Sequence, residues 1–315
     1  MLCSVIIPLY NKAAFIEYAI QSVLDQRHQR FEIIVVDDGS QDDGAARVRR
    51  LRDPRIRLIG QANAGVSRAR NRGIAHAQGD LICFLDADDW YLPSYLGTIV
   101  AMAKRHADIA YFATGFRRVT TPDGSGMHWD AGDTSRLEVI EDCFDHRRRF
   151  GGVFCTVSVA VRRATLAALQ PCFPPGESMG EDLDLWFRLA ERSRLAYCPA
   201  ALIGYRMGVG ESLTATHTVR ELLPAWSRLE ERALDGSMPR QLCASALRLV
   251  AHERVMLART ALAEGRRGDA FRQLLLARRG ATLRNWWTTV ALGVGCTPGI
   301  MRRWERWRHD RAGNA

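Results

Sequence analysis

Three near-continuous apolar runs, each stopping abruptly at polar residues and separated by segments of helical spacing, constrain this chain more than any other feature. Val5-Ile6-Ile7 ends in Pro8-Leu9-Tyr10-Asn11. Phe31 to Val36 ends in Asp37-Asp38-Gly39-Ser40, and Leu81-Ile82-Cys83-Phe84-Leu85 runs into Asp86-Ala87-Asp88-Asp89. Such runs suit strands covered on both faces, as in a parallel sheet. Between them the spacing predicts helices over Ala14 to Gln26, Gln41 to Arg52 and Gly65 to Ala77, with a short strand at Ile56 to Ile59. Strand and helix in alternation predict an α/β fold, an open, mostly parallel sheet flanked by helices. Ligands in such sheets bind outside the carboxyl ends of the strands, so all three polar motifs are expected to face one crevice.

The chemistry of that crevice follows from its acids. Asp86, Asp88 and Asp89 crowd into four positions, and like charges that close raise one another's pKa unless something positive neutralises them. A hard divalent cation, Mn²⁺ or Mg²⁺, carrying substrate phosphates would do so, since such ions bind through one or two carboxylates plus phosphate oxygens. A solvated acidic turn that caps the next helix is the plainer alternative.

From about residue 108 the alternation loosens. Ile109 to Phe112 reads as a strand, Thr120 to Ser135 as a polar loop, Gly151 to Val161 as strand and turn, and Glu181 to Arg192 as a helix. Beyond about residue 216 the chain is helical and Arg-rich, which divides it into 1–107, 108–215 and a C-terminal helical extension, 216–315. The charge divides in the same place. Residues 1–215 hold 26 Lys and Arg against 26 Asp and Glu, whereas 216–315 hold 18 Arg against 9 acids, the whole of the net +9. A basic excess at one end suggests an anionic surface as partner. Trp286-Trp287, an uncharged stretch through Met301, and Arg302-Arg303-Trp304-Glu305-Arg306-Trp307-Arg308 fit an interfacial anchor over 284–308. The stretch is too short and too broken by Gly293, Gly295, Pro298 and Gly299 to span a bilayer. The alternative is a solvated face packed on its own domain. No nucleic-acid module accompanies the charge. The eight scattered cysteines form no zinc pattern, and Met1-Leu2-Cys3-Ser4 does not resemble a signal peptide. The expectation is therefore a cytoplasmic protein, peripheral on the inner face of the cytoplasmic membrane.

Taken together, Ser4 to Asn11, Glu32 to Ser40, Asn63-Ala64-Gly65-Val66-Ser67-Arg68-Ala69-Arg70-Asn71-Arg72-Gly73 and Asp86-Ala87-Asp88-Asp89 resemble the family 2 inverting glycosyltransferases, which have the GT-A fold. The resemblance is dense over residues 3–100 and extends thinly through Gly180-Glu181-Asp182 to about residue 215. It implies a nucleotide-sugar donor, most simply a UDP-sugar, held by 1–107, and an acceptor held by 108–215. Pro8 and Tyr10 would pack beside the base. Asp38 would accept a hydrogen bond from it while Asp37 braces the loop, or both would form an Asx-type turn with Gly39. Arg70 would meet the diphosphate or the carboxylates of the metal site, or form a structural Arg–Asp pair. Asp88 would be the principal metal ligand, with Asp86 at the ribose or a metal-bound water. Asp182 would be the general base and Glu181 a supporting acid, unless both simply complement a helix dipole.

Two departures matter. The Gln-x-x-Arg-Trp motif of the family's processive synthases is absent, since the helix reads Leu185-Trp186-Phe187-Arg188-Leu189. A single addition to a hydroxyl of a glycan or lipid-linked acceptor is expected instead. The His that often follows a Tyr-Arg pair is also missing, for Tyr205-Arg206 continues as Met207-Gly208, which leaves Arg206, Ser212 and Thr214 as candidate diphosphate contacts. Two rivals share the donor motifs: a transferase loading sugar onto polyprenyl phosphate, and a catalytically silent nucleotide-sugar-binding protein.

Overall fold

The computed structural model describes residues 1–120, 129–177, 179–208, 220–280, 284–295 and 299. The first compact unit comprises Met1–Cys143 and Gly152–Thr216, the second Phe144–Gly151 and His217–Ala315. The expected polar loop at Thr120 to Ser135 is described only in part. Ser212, Thr214 and the tail residues 302–308 lie outside the described residues.

The first unit is built on β1 (Cys3–Leu9), β2 (Phe31–Asp37), β3 (Ile56–Gly60), β4 (Leu81–Phe84), β5 (Trp90–Tyr91), β6 (Tyr111–Val119), β7 (Glu138–Ile140), β8 (Val159–Arg162) and β9 (Leu195–Arg206). Among the described residues these form one mixed sheet in the order β3-β2-β1-β4-β8-β6-β9-β5, with β7 paired to β9 off that path. The first four strands are parallel. β8 runs antiparallel to both β4 and β6, and β9 parallel to β6. The expected α/β fold with a mostly parallel sheet flanked by helices is what forms.

Alternation along each strand divides the core into two layers. Val5, Ile7, Ile33, Val35 and Cys83 face one cluster, together with Ile16 and Ile20 of helix α1 (Ala13–Leu24), Val48 of α2 (Gly44–Arg50) and Ile99 of α4 (Tyr95–Arg105). Ile6, Ile34, Val36, Ile82 and Phe84 face the other. They meet Ala69 and Ile74 of α3 (Val66–His76), Leu166 of α6 (Arg163–Ala167), and Leu185 and Leu189 of α7 (Glu181–Ala190). Each large aliphatic side chain buried this way contributes about 1.5–3 kcal/mol, which is why both faces of these strands read as apolar. Helix α3 lies directly on β1, for a Cβ at Gly73 would come within 2.4 Å of Ile6 Cγ2. That contact sets the depth of Arg70, one turn earlier.

β9 escaped sequence reading because Pro199 and Gly204 argue against a strand. The ladder resolves this with a bulge: Thr114 lies opposite Cys198 but Gly115 opposite Ala201, so Pro199 needs no ladder partner. β5 is equally hidden, a two-residue strand whose Trp90 pairs with Gly204.

The second unit takes in Phe144–Gly151, most of α5 (Cys143–Phe150), and α8 (Pro224–Asp235), α9 (Arg240–Ala263), α10 (Arg267–Leu276) and α11 (Arg284–Gly295) follow. Val255, Ala258 and Leu262 of α9 pack with Leu274 of α10 and with Trp286 and Val290 of α11. Arg259, buried, donates from Nε to Thr289 Oγ1 at 2.8 Å. Of the two tail tryptophans, Trp286 donates its indole N–H to Leu274 C=O at 2.9 Å, while Trp287 is 61% exposed. Among the described residues no helix is long and apolar enough to cross a membrane.

Candidate active site

The ends of β1 and β2 are tied to each other. Leu9 lies opposite Asp37, and Asp38 N–H donates to Leu9 C=O at 2.8 Å. Beyond them, Asn11, in the left-handed region at φ 50°, accepts the Gln41 N–H at 2.8 Å through its side chain, and its own N–H donates to Ser40 Oγ at 3.2 Å. Gly39 has φ 75°, and a Cβ there would meet Asn63 N at 2.8 Å, so no other residue fits without movement. Pro8 is half-buried within β1, and Tyr10 is exposed beyond its end.

The two aspartates at the tip of β2 differ in use. Asp37 accepts one hydrogen bond, from Ser40 N–H at 3.1 Å. Asp38 is buried and accepts three: Gln61 Nε2 at 2.7 Å and Ala64 N–H at 2.9 Å on Oδ1, and Gly65 N–H at 2.8 Å on Oδ2. Bracing, which the sequence had suggested for Asp37, is therefore shared and falls mainly on Asp38. Since a carboxylate offers about four acceptor positions, one place on Asp38 Oδ2 remains. Through these bonds Asp38 also fixes the loop that opens α3.

Helix α3 carries the residue that joins the site. Arg70, 4% exposed, donates from Nη2 to Asp86 Oδ1 at 2.9 Å and from Nη1 to Glu181 Oε1 at 2.7 Å. Burial works against its charge, but Asp86, Glu181 and Asp182 outweigh it and raise its pKa. Of the alternatives left open for Arg70, the described contacts are those of a carboxylate clamp, with each terminal nitrogen bonded to one acid. The same helix holds the segment before α7, since the Asn71 side chain donates to Phe173 C=O at 2.7 Å and accepts its N–H at 3.0 Å. Ser67 Oγ donates to Glu177 C=O at 2.8 Å.

The acids after β4 have three environments. Asp86 is half-buried against Arg70. Asp88 pairs through Oδ2 with Lys12 Nζ at 2.8 Å. Asp89 is buried, accepts the Arg206 N–H at 2.7 Å, and its pKa is pushed well up by burial and then by Asp86 and Asp88. It pins the end of β9 to the acidic loop. Arg206 donates from Nε to Asp88 C=O at 3.0 Å, its guanidinium lying 5.0 Å from the Phe15 ring centre and 5.1 Å from that of Trp90. Arg206, a candidate diphosphate contact from the sequence, thus lies against the acidic loop.

Helix α7 opens at Glu181 after Gly180, which has φ 67°. Glu181 is buried on Arg70, and its pKa is raised by burial, with Arg70 opposing and Asp182 adding to the rise. Asp182 is half-buried, and its Oδ2 accepts the Thr156 hydroxyl at 2.5 Å. Asp184 is turned away into an ion pair with Arg188 at 2.9 Å. Lys12, Gln61 and Thr156 were not foreseen. Lys12 at least follows the Tyr10-Asn11 loop directly, whereas Thr156 carries no motif at all.

The donor chemistry suits a hard cation. Carboxylates Asp86, Asp88, Glu181 and Asp182 meet two cations, Arg70 and Lys12, so negative charge is in excess. Among the described residues Asp88 Oδ1 and Asp86 Oδ2 have no hydrogen-bond partner, and no group of three or more Asp, Glu, His or Cys is arranged to hold a metal. Two carboxylates completed by phosphate oxygens is the way Mg²⁺ is usually bound, so these residues fit such an ion.

Against known proteins, the family model described as Glycosyl transferase family 2 matches residues 4–163. An uncharacterised glycosyltransferase of Rickettsia bellii is 30% identical over 200 residues, covering 61% of this chain and 27% of that protein. One from Nostoc sp. is 34% identical over 180 residues, covering 55% of each. The chain thus spans about half, or less, of the length of these relatives. S. aureus TarS 1–349, crystallised with UDP-GlcNAc, superposes with a TM-score of 0.64 at 18% identity, covering 93% of this chain and 91% of that one. That likeness is one of fold.

Proposed function

This chain belongs to glycosyl transferase family 2, and from that premise we propose that it moves a sugar from a nucleotide diphosphate, a UDP-sugar, to a hydroxyl of a glycan or lipid-linked acceptor, with inversion and one sugar at a time. The observation that carries the reading is the Arg70 clamp. It ties Asp86, at the tip of a donor-side strand, to Glu181, the neighbour of Asp182, which lies 111 positions beyond Arg70 in sequence. Nothing in the packing of a plain α/β core requires a buried arginine between two carboxylates, and taking such charges out of water is costly even when they pair, so stability alone does not account for the clamp.

In this reading Asp38 accepts the imide N–H of uracil at its remaining Oδ2 position, with Pro8 and Tyr10 beside the base. Asp88, helped by Asp86, would hold Mn²⁺ or Mg²⁺. The cation supplies charge neutralisation for the departing diphosphate. Lys12, paired with Asp88 at 2.8 Å, lies beside these carboxylates and would be placed to meet a phosphate oxygen. Asp182 takes the proton of the acceptor hydroxyl as it attacks the anomeric carbon, while Arg70 keeps Glu181 and Asp86 from repelling the incoming diphosphate. The missing Gln-x-x-Arg-Trp motif supports single addition.

The test is a panel of UDP-glucose, UDP-galactose, UDP-N-acetylglucosamine and UDP-N-acetylgalactosamine, scored for UDP release with Mn²⁺ and with a chelator. Release of UDP from one of them is expected, lost with chelator and reduced at least ~10-fold in Asp88→Asn, as loss of a metal ligand implies. Equal rates in chelator would remove the metal from the account. The Arg excess beyond residue 216 and the exposed Trp287 further support attachment of the second unit to an anionic leaflet. Co-sedimentation with phosphatidylglycerol vesicles, weakened by salt, is expected; equal binding to neutral vesicles would count against it.

A further inference from the structure

A 3₁₀ turn, Thr156–Ser158, immediately precedes β8. It is a rigid feature. Cys155 N–H donates to Ser158 Oγ at 3.1 Å, Ser158 N–H returns to Cys155 C=O at 2.9 Å, and Thr156 and Ser158 are both buried. The turn leads into β8, which pairs with β4, the strand that runs into the donor acids. From the turn the Thr156 hydroxyl donates to Asp182 Oδ2 at 2.5 Å. Among the described residues no other side chain bonds to that carboxylate. Arg70 acts on it only through space, because its terminal nitrogens hold Asp86 and Glu181.

We propose that Thr156 is a positioning residue for the base: by holding Asp182 Oδ2 it fixes the carboxylate plane and presents Oδ1 to the acceptor hydroxyl. The inference rests on the reading of Asp182 as the proton acceptor. A half-exposed aspartate in the first turn of a helix otherwise turns about two side-chain bonds. Threonine suits the task because it is β-branched and stiff at χ1, and burial removes what freedom is left. The Thr156 proton is committed to Oδ2, so it is Oδ1 that is left to accept one from the acceptor. A catalytic group misplaced by about 1 Å can lose ~100-fold in rate, which sets the scale of the effect.

The experiment uses the full chain and the UDP-sugar selected by the panel, with water as acceptor, and compares Thr156→Val, Thr156→Ser, Asp182→Asn and the Thr156→Val/Asp182→Asn pair. Thr156→Val is expected to lower kcat by ~10–100-fold with the donor KM within ~2-fold, and Thr156→Ser to recover to within ~3-fold of wild type. In the Asp182→Asn background the valine should cost nothing further, as expected of two residues acting through one contact. Should Thr156→Val fail to fold, Thr156→Ala takes its place with the same readings. A wild-type kcat in Thr156→Val beside an inactive Asp182→Asn overturns the positioning role and leaves the base intact. A raised KM with unchanged kcat, or a Ser variant as slow as Val, overturns it as well. Activity retained in Asp182→Asn instead overturns the reading on which the inference rests.

Discussion

Asp182→Asn is expected to lower kcat by ~10²–10⁴-fold, the usual worth of a positioned general base, with UDP binding within ~2-fold of wild type. Asn keeps the size of the side chain and an oxygen able to accept the Thr156 hydroxyl, so the turn at 156–158 stays in place and only the capacity to take a proton is lost. Glu181 is not placed to substitute, because it is buried and held by Arg70 at 2.7 Å. Steady-state turnover alongside calorimetric UDP titration separates the two quantities. A loss in UDP affinity that accounts for the whole effect would move Asp182 from chemistry to binding.

The largest effect on stability is expected from Arg70. Arg70→Met keeps much of the stem volume but leaves Glu181 and Asp86 facing each other without the cation between them, and breaking a buried pair in this way costs ~3–5 kcal/mol. The pH dependence has a definite sign. Glu181 already has a folded-state pKa above its usual 4.5, through burial, with Arg70 opposing the rise. Without Arg70 it rises further, so the folded state holds the proton more tightly than the unfolded chain does. The penalty is therefore small at pH 4, where the carboxyl is protonated in both states, and grows as pH rises through the carboxylate range to its full size near neutrality. Denaturant titrations of wild type and variant at pH 4, 5.5 and 7 measure this. A difference under ~1 kcal/mol at pH 7, or one constant across the series, would mean that the clamp carries no such charge burden. Replacing Glu181 by Gln in the Arg70→Met background should restore part of the loss.

The donor half was legible because its signals are local. Near-continuous apolar runs announce strands buried on both faces, and the acids that follow mark where each leaves the sheet. The division of labour at Asp37-Asp38 was not legible, since two adjacent identical side chains differ only in the direction the chain takes at the tip of β2. Arg70 was recognised as a candidate, but which carboxylates it meets is a matter of tertiary packing: Glu181 is 111 residues away and reaches it only because α3 and α7 cover the same face of the sheet. Thr156 left no trace, as an ordinary residue in a short turn whose one significant bond spans 26 positions. β9 was concealed by a proline that sits at a bulge, where the usual objection to proline in a strand lapses.

The account rests on acids from β4 and α7 gathering about a cation and the diphosphate it carries. Anomalous scattering from crystals grown with Mn²⁺ and UDP tests this most directly. The predicted result is a manganese peak coordinated by Asp88 and by oxygens of the diphosphate, the uracil against Asp38, and Asp182 facing the open side of the diphosphate. Manganese bound away from Asp88, or UDP seated elsewhere than the tips of β1, β2 and β4, would contradict it.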